Sequence, residues 1–187
     1  MNPVKELGDL LNLIDDYLIK GMFISVLVVV LNRVISKNRE TYANAIKIVK
    51  NVLIANAVFT LNYFMIDTFF SETDVYSGIL NRATGPYWFF FWIIFSTRSI
   101  FPFALLHDKL GANIYFIFFL AVFMNTTWLF ESYTVHMAGM TPVYIHDANA
   151  GNLPYPNDVA NVVRGVIFGT LAIIIGNVVR LRKLQKS

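Results

Sequence analysis

The stretch Gly85–His136 reads GPYWFFFWIIFSTRSIFPFALLHDKLGANIYFIFFLAVFMNTTWLFESYTVH, two aromatic-rich apolar blocks joined by the short polar link HDKLGA. Each block has about 20 residues, which at about 1.5 Å per residue covers the roughly 30 Å hydrocarbon core of a bilayer. The link allows only a tight return, so the stretch predicts two antiparallel membrane-spanning helices. Arg98, Asn125 and Glu131 lie inside them, where polar groups usually face protein or water rather than lipid.

The composition of the whole chain agrees with a membrane protein. Of 187 residues, 56% are hydrophobic and only 14% are charged, a balance that is unusual for a soluble domain. The chain has no cysteine and three histidines, so we expect no thiolate-held cluster, no disulfide and no metal site. The basic residues flank apolar segments and form no separate basic face, which argues against nucleic-acid binding.

We predict an all-α integral membrane protein with about five transmembrane helices in an antiparallel bundle, forming a single membrane domain over residues 1–187. An amphipathic interfacial helix at residues 1–16 comes first, because apolar residues recur there at three-four spacing. The predicted spans cover residues 17–35, 46–70, 86–106, 112–134 and 159–179.

The distribution of basic residues predicts the orientation. Most of them belong to the loop after the first span, the link of the hairpin and the C-terminus: Arg33, Lys37, Arg39, Lys47, Lys50, Lys109, Arg180, Arg182, Lys183 and Lys186. Because cytoplasmic loops are enriched in Lys and Arg, we expect the N-terminus outside and the C-terminus in the cytoplasm, a parity that five spans satisfy.

Three charged residues are candidates for chemistry in the outer third of the bilayer. Helix rise places Asp67 and Glu131 about 28 Å, and Arg164 about 25 Å, from the inner boundary. Such a group could transfer protons or bind a quinone head group, and the exterior His136 could take part. Alternatively, Arg164 neutralises one or both carboxylates and only holds helices together.

Arg98 is expected deeper, about 13 Å from the inner boundary, level with Asn56 and slightly below Asn125. A guanidinium keeps its proton, so it needs acceptors, which the asparagine amides or a backbone carbonyl could supply. Pro102 lacks an N–H and crowds the carbonyl of Arg98, so we expect a kink there. We predict a structural role for Arg98, Asn56 and Asn125.

The three histidines are poorly placed for haem. His107 falls on the link, and His136 and His146 fall outside the membrane, so no pair of them can face each other across a bundle at one depth. A haem-anchoring subunit is therefore the weakest of the functions considered.

A family resemblance comes from FMIDTFFSETDVYSGILNRATGPYWFFFWIIF (Phe64–Phe95) and NTTWLFESY (Asn125–Tyr133). Over about Met65–Gly139 the chain resembles half of the NrfD/PsrC-type quinone-interacting membrane subunits, the class found in polysulfide reductase and alternative complex III. The residues that match the family's helix-start motif are Asn81, Arg82, Gly85, Pro86, Tyr87 and Trp88. Trp128 and Glu131 match a second motif loosely, and Ser132 stands where the family tends to have Arg.

This resemblance implies a half-length relative in a bacterial inner membrane that takes part in quinol oxidation beside iron–sulfur and cytochrome c subunits. Such a chain would bind no cofactor of its own, apart from contact with quinone or menaquinone and lipid, and would have no catalytic residue acting alone. Two alternatives stay open: a purely structural accessory subunit of a membrane complex, and a small oligomeric transporter or channel.

Overall fold

The structure is a computed structural model that describes residues 3–70, 84, 88–125 and 158–185. Within these ranges the regular secondary structure is entirely helical, which confirms the predicted all-α class there. Among the described residues, three helices are long and apolar enough to cross a membrane: Glu6–Ser36, Arg39–Ile66 and Val159–Leu184. Phe91–Leu106 and Ile114–Met124 are shorter apolar helices, and the count of five spans stays a prediction.

The helical elements follow one another with short connections wherever the chain is described. They are α1 (Pro3–Ile14), a π-helical segment (Asp15–Ile19), α2 (Met22–Ser36), α3 (Arg39–Phe70), α4 (Trp88–Phe95), a second π-helical segment (Ser96–Ile100), a 3₁₀ segment (Phe101–Leu106), α5 (Asp108–Gly111), α6 (Ile114–Met124) and α7 (Asp158–Leu184).

The first helical pair is closed by a two-residue turn. Lys37 adopts the left-handed conformation (φ 53°), and its N–H donates to the carbonyl of Arg33 over 3.1 Å, which ends α2. Asn38 then caps α3, because its side-chain oxygen accepts from the N–H of Thr41 at 3.2 Å. The helices on either side of this turn therefore run antiparallel.

α1 packs against α3 near the other end of the bundle. Gly8 lies against the ring of Tyr63, where an added Cβ would be 3.3 Å from the ring edge. Glu6–Ser36 also meets the length and hydropathy criteria as a single helix of 31 residues. An interfacial position for residues 1–16 stays a prediction, and this contact shows that α1 is held against the bundle.

A stripe of small residues on α7 lets its backbone approach two other helices closely. The stripe consists of Gly165, Gly169, Ala172 and Gly176, all buried. Ser25 on α2 donates to the carbonyl of Gly165 at 2.8 Å, and Asn44 on α3 donates to that of Gly176 at 3.1 Å. Helices in lipid associate through van der Waals packing rather than through a hydrophobic driving force, and small residues at a crossing allow that close packing.

The main apolar core lies between α2, α3, α6 and α7. Its fully buried members include Val26 and Val29 on α2, Val49 and Leu53 on α3, and Ile117 on α6. Side chains of this size at three-four spacing form the inward stripe of each helix. The core therefore joins the hairpin, whose returning helix is α6, to the first two long helices.

The hairpin changes helical geometry next to Pro102, and the predicted kink stays a prediction. The π-helical segment Ser96–Ile100 gives way to 3₁₀ geometry at Phe101, directly before the proline that cannot donate an N–H. Asn113 caps the returning helix, since its side chain accepts from the N–H groups of Tyr115 and Phe116 at 3.0 and 3.4 Å. The predicted tight antiparallel return is present.

The link of the hairpin lies farther into the bundle than the sequence indicated. Gly111 packs on the side chain of Lys50, and a Cβ added there would be 2.6 Å from Nζ. Lys50 is about three helical turns beyond Arg39, where α3 begins. The link therefore lies farther along the bundle axis than the Lys37 turn, toward the opposite end. Distances from the inner membrane boundary that are counted from the link, such as that of Arg98, are therefore underestimated.

Bulk added to the glycine stripe should separate α2 from α7. A Cβ at Gly165 would be 2.8 Å from Cβ of Ile24 and would overlap the carbonyl of Gly21, so we expect Gly165→Val to lower the free energy of unfolding by about 1–3 kcal/mol. Thermal unfolding in mild detergent measures the loss. The control is Val166→Ile, which adds a methylene on the exposed side of α7, and equal stability of the two variants would contradict the packing described.

Candidate functional site

The most irregular backbone of the long first helix lies at Asp15–Gly21, which we call the junction. The N–H of Lys20 donates to the carbonyl of Asp15, five residues earlier, at 2.9 Å, and Gly21 departs from helical geometry before α2 begins. π-Helical turns of this kind displace backbone carbonyls from the regular α-helical pattern and are frequent at functional sites. Side chains from three other parts of the chain converge on the junction.

Arg98 forms an ion pair with the first residue of the junction. Its Nη2 is 3.0 Å from Oδ1 and 3.2 Å from Oδ2 of Asp15, and its Nε donates to the carbonyl of Met124 at 3.2 Å. The side chains of Arg98 and Asp15 are only 22% and 18% exposed. The two π-helical segments are therefore joined to each other, and both are tied to the end of α6.

Arg164 of α7 binds the next residue of the junction. Its Nη1 donates to the backbone carbonyl of Asp16 at 2.9 Å and to Oδ1 of Asn161 at 3.2 Å. The guanidinium carbon also lies 4.5 Å from the centre of the Tyr17 ring, a cation–π contact. These contacts give the guanidinium acceptors within the chain.

Asn125 binds the last residue of the π-helical segment. Its Nδ2 donates to the carbonyls of Ile19 and Ala121, each at 2.8 Å, and the residue is completely buried. In an apolar environment a carbonyl without a donor is costly, so this contact stabilises the irregular backbone. Arg98, Arg164 and Asn125 thus come from separate parts of the chain and bind the same junction. Their partners are Asp15, Asp16 and Ile19, respectively.

The ion pair between Lys20 and Asp16 is of lesser energetic weight. The two side chains meet at 2.6 Å but are 28% and 49% exposed, and exposed pairs at i, i+4 spacing contribute about 0.3–0.5 kcal/mol. It orients the Asp16 side chain while the Asp16 carbonyl accepts from Arg164.

Two buried oxygens near these contacts have no hydrogen-bond partner among the described residues. They are Oγ of Ser99, which follows Arg98 in the chain, and Oδ1 of Asn125. Both residues are completely buried. Each such group costs about 1–3 kcal/mol relative to a satisfied one, so the polar layer is held at some expense of stability.

The structure brings together three of the polar residues singled out in the sequence. Arg98, Arg164 and Asn125 all bind the junction, whereas Asn56 is buried on α3 and is not among the hydrogen-bond partners described for Arg98. The expected separation in depth between Arg98 and Arg164 was wrong, because they bind adjacent residues. The reason is the raised position of the hairpin link.

The acidic candidates fall at or beyond the limits of the description. Asp67 lies on α3, and only its backbone is described. Glu131 and His136 lie outside the described residues, so a group formed by Asp67, Glu131 and Arg164 stays a prediction.

The acidic residues that do bind were not identified from the sequence. Asp15 and Asp16 fall at the end of the predicted interfacial helix, residues 1–16, directly before the predicted first span. The signal that points to them is the DDY sequence next to a run of apolar residues, together with two arginines in predicted apolar spans that require acceptors. Pairing an acceptor with a donor 83 residues away needs the tertiary structure.

The polar side chains at the junction form ion pairs and donate hydrogen bonds to backbone carbonyls. No cluster of three or more histidine, cysteine or carboxylate residues in the described part of the chain could hold a metal. The arginines at the junction are engaged by a carboxylate, backbone carbonyls, an amide and an aromatic ring. The geometry therefore favours a structural polar layer.

No protein-family model, curated protein or solved structure matches the chain.

Loss of the carboxylate at position 15 should leave Arg98 without its charge partner. Breaking a fully buried pair costs roughly 3–5 kcal/mol, and because both side chains retain some exposure we expect about 2 kcal/mol for Asp15→Asn. Unfolding in mild detergent measures it, with the exposed Asp9→Asn as the control.

A double-mutant cycle identifies the pair itself. With Arg98→Gln added to Asp15→Asn, the combined loss should be smaller than the sum of the single losses, by about 1 kcal/mol or more. Strict additivity would show that the two residues act independently.

Proposed function

We propose that the chain is a multi-pass helical subunit of a multi-subunit complex in a bacterial inner membrane, and that this complex is a quinone-linked respiratory one. The membrane location is supported by the contrast between the apolar surface of the bundle and the charged groups paired in its interior. Large apolar side chains on the three longest helices are exposed, for example Leu31, Phe59 and Ile167, whereas Arg98 and Arg164 bind partners inside the chain. This division is typical of a bundle whose outer solvent is lipid.

The arrangement of the basic ends supports the proposed orientation. Thr41 at the start of α3 and Asn177 near the end of α7 are joined side chain to side chain at 3.5 Å. The basic turn after α2 and the basic C-terminal residues Arg180, Arg182 and Lys183 therefore belong to one end of the bundle. We place that end in the cytoplasm and the N-terminus outside.

The quinone-linked part of the proposal rests on the sequence resemblance over Met65–Gly139. We assign contact with a quinone head group or its protons to Asp67, Glu131 and His136, with iron–sulfur and cytochrome c proteins as partner subunits. Arg164 belongs with the junction in this proposal, because its guanidinium already has acceptors there.

A purely structural accessory subunit is the second candidate. It is favoured by the internal pairing of Asp15 with Arg98, which engages these charges within the chain. In this alternative the polar layer specifies helix pairing and the chain contributes no contact with quinone.

Gentle extraction from native membrane tests the proposal. We expect the chain to co-migrate in mild detergent with iron–sulfur and cytochrome c proteins, because the complex would be held together mainly by helix packing. The measurement is native electrophoresis followed by mass spectrometry of the band. Migration of the chain as a lone homo-oligomer would rule the proposal out and would direct attention to a flux assay in liposomes.

Two sets of variants separate a quinone contact from a structural role once a complex is found. If Asp67 and Glu131 contact quinone, Asp67→Asn and Glu131→Gln should lower quinol oxidation while the amount of assembled complex is unchanged. Asp15→Asn should instead lower the amount of assembled complex, because it weakens the bundle. Full turnover in both acidic variants would leave the structural accessory role as the function.

A further inference from the structure

The link of the hairpin stops short of the end of the bundle at which α2 turns into α3. Gly111 of the link packs on Lys50, about three helical turns beyond Arg39, where α3 begins. The last turns of α2 and the first turns of α3 therefore extend past the link to the turn at Lys37. A step is left there, with the link on one side and the Lys37 turn on the other.

Lys50 brings an ammonium group to this step without a carboxylate to neutralise it. Its side chain is half-buried, and a Cβ added to Gly111 would be 2.6 Å from its Nζ and 3.2 Å from its Cε. Helical side chains tilt toward the N-terminus of their helix, which for α3 is the end at the Lys37 turn. The two ion pairs found among the described residues both belong to the junction, so Lys50 has no carboxylate partner there.

Two further cations border the same step. Lys109 is exposed on the link, two residues before Gly111. Arg33 is exposed in the last turn of α2, and its guanidinium carbon lies 4.7 Å from the centre of the Tyr42 ring on α3. Tyr42 packs against the apolar core that also contains residues of the hairpin, which places Arg33 on the hairpin side of the bundle. We call Arg33, Lys50 and Lys109 the basic recess.

The neighbouring carboxylates do not neutralise the basic recess. Asp108 on the link and Glu40 in the first turn of α3 are both exposed, and neither forms an ion pair among the described residues. Lys47, which is exposed one turn before Lys50, adds further positive charge. Any anionic partner of the recess therefore comes from outside the described part of the chain.

Exposed leucines next to the link indicate which kind of anion fits. Leu106 and Leu110 lie on either side of the polar residues of the link, and they are 61% and 38% exposed. A soluble anion would leave these side chains uncovered, whereas the acyl chains of a lipid would cover them. Cations at the ends of membrane-spanning helices attract anionic head groups, and a lysine with a half-buried stem can extend its ammonium group to them.

We propose that the basic recess binds the phosphate group of an anionic phospholipid, with the acyl chains lying along Leu106 and Leu110. The ammonium and guanidinium groups donate charge-assisted hydrogen bonds to the phosphate oxygens, and the Tyr42 ring holds the Arg33 guanidinium in place. This inference rests on the membrane location in the proposed function and is independent of the quinone-linked part.

Lipid titration of the full chain in mild detergent tests the site. Phosphatidylglycerol should raise the midpoint of thermal unfolding and saturate, and native mass spectrometry should show it bound to the folded chain. Zwitterionic phosphatidylcholine should bind more weakly, because it carries no net negative charge. Inorganic phosphate should leave the midpoint unchanged, because it cannot cover the leucines.

Paired substitutions locate the binding. Arg33→Gln combined with Lys50→Gln should weaken phosphatidylglycerol binding about tenfold or more, because two of the three cations are lost. The matched control is Arg182→Gln combined with Lys183→Gln, which removes the same charge from exposed residues at the same end of the bundle and should weaken binding less than about twofold.

Lys109→Gln provides a variant whose folding is not in question, because Lys109 is exposed and makes no ion pair among the described residues. It should weaken phosphatidylglycerol binding about threefold to tenfold while the unfolding midpoint without lipid stays unchanged.

The outcomes separate this inference from the proposed function. Equal weakening by the two double variants, or no weakening in Lys109→Gln, would show attraction by the overall positive charge and overturns the site. Equally tight binding of phosphatidylcholine, or a rise in the midpoint with inorganic phosphate alone, overturns the anionic phospholipid as the occupant. None of these results bears on the respiratory complex, which depends on co-migration after extraction.

Discussion

The rest of the structure depends on satisfying irregular backbone at the junction, Asp15–Gly21. In an apolar environment each carbonyl outside the regular helical pattern requires a donor. The donors to the Asp16 and Ile19 carbonyls come from α7 and from the end of α6, and a neighbouring carboxylate binds the second π-helical segment. Elements far apart in the chain are thereby fixed at one level.

Close backbone packing makes this polar layer possible. Gly21 lies so near α7 that an added Cβ would be 2.5 Å from the carbonyl of Asn161 and 2.6 Å from the N–H nitrogen of Gly165. Arg164 is the neighbour of that glycine, so the approach that the glycines allow also brings its guanidinium to the Asp16 carbonyl. Packing and polar contacts are therefore coupled at a single crossing, and a change in one disturbs the other.

Polar and apolar side chains are divided between the interior and the surface of the described part of the molecule. Charges at the junction are engaged inside the chain, where Asp15 pairs with Arg98 and the Asp16 carbonyl accepts from Arg164. Large apolar side chains on the long helices, such as Leu31, Phe59 and Ile167, are exposed. Internal pairing of the charges therefore specifies which helices meet.

The sequence by itself determined the helical class, the candidate spans and the tight hairpin, because apolar run length and turn residues are local properties. It also identified Arg98, Arg164 and Asn125 as residues that need partners. Only the tertiary structure showed that their partners are the Asp15 carboxylate and backbone carbonyls of the junction. A depth counted along one helix assumes that every helix begins at the membrane boundary. The Gly111 link instead packs on Lys50, well inside α3. Contacts between distant segments depend on how far the helices are shifted relative to one another, which a single helix cannot show.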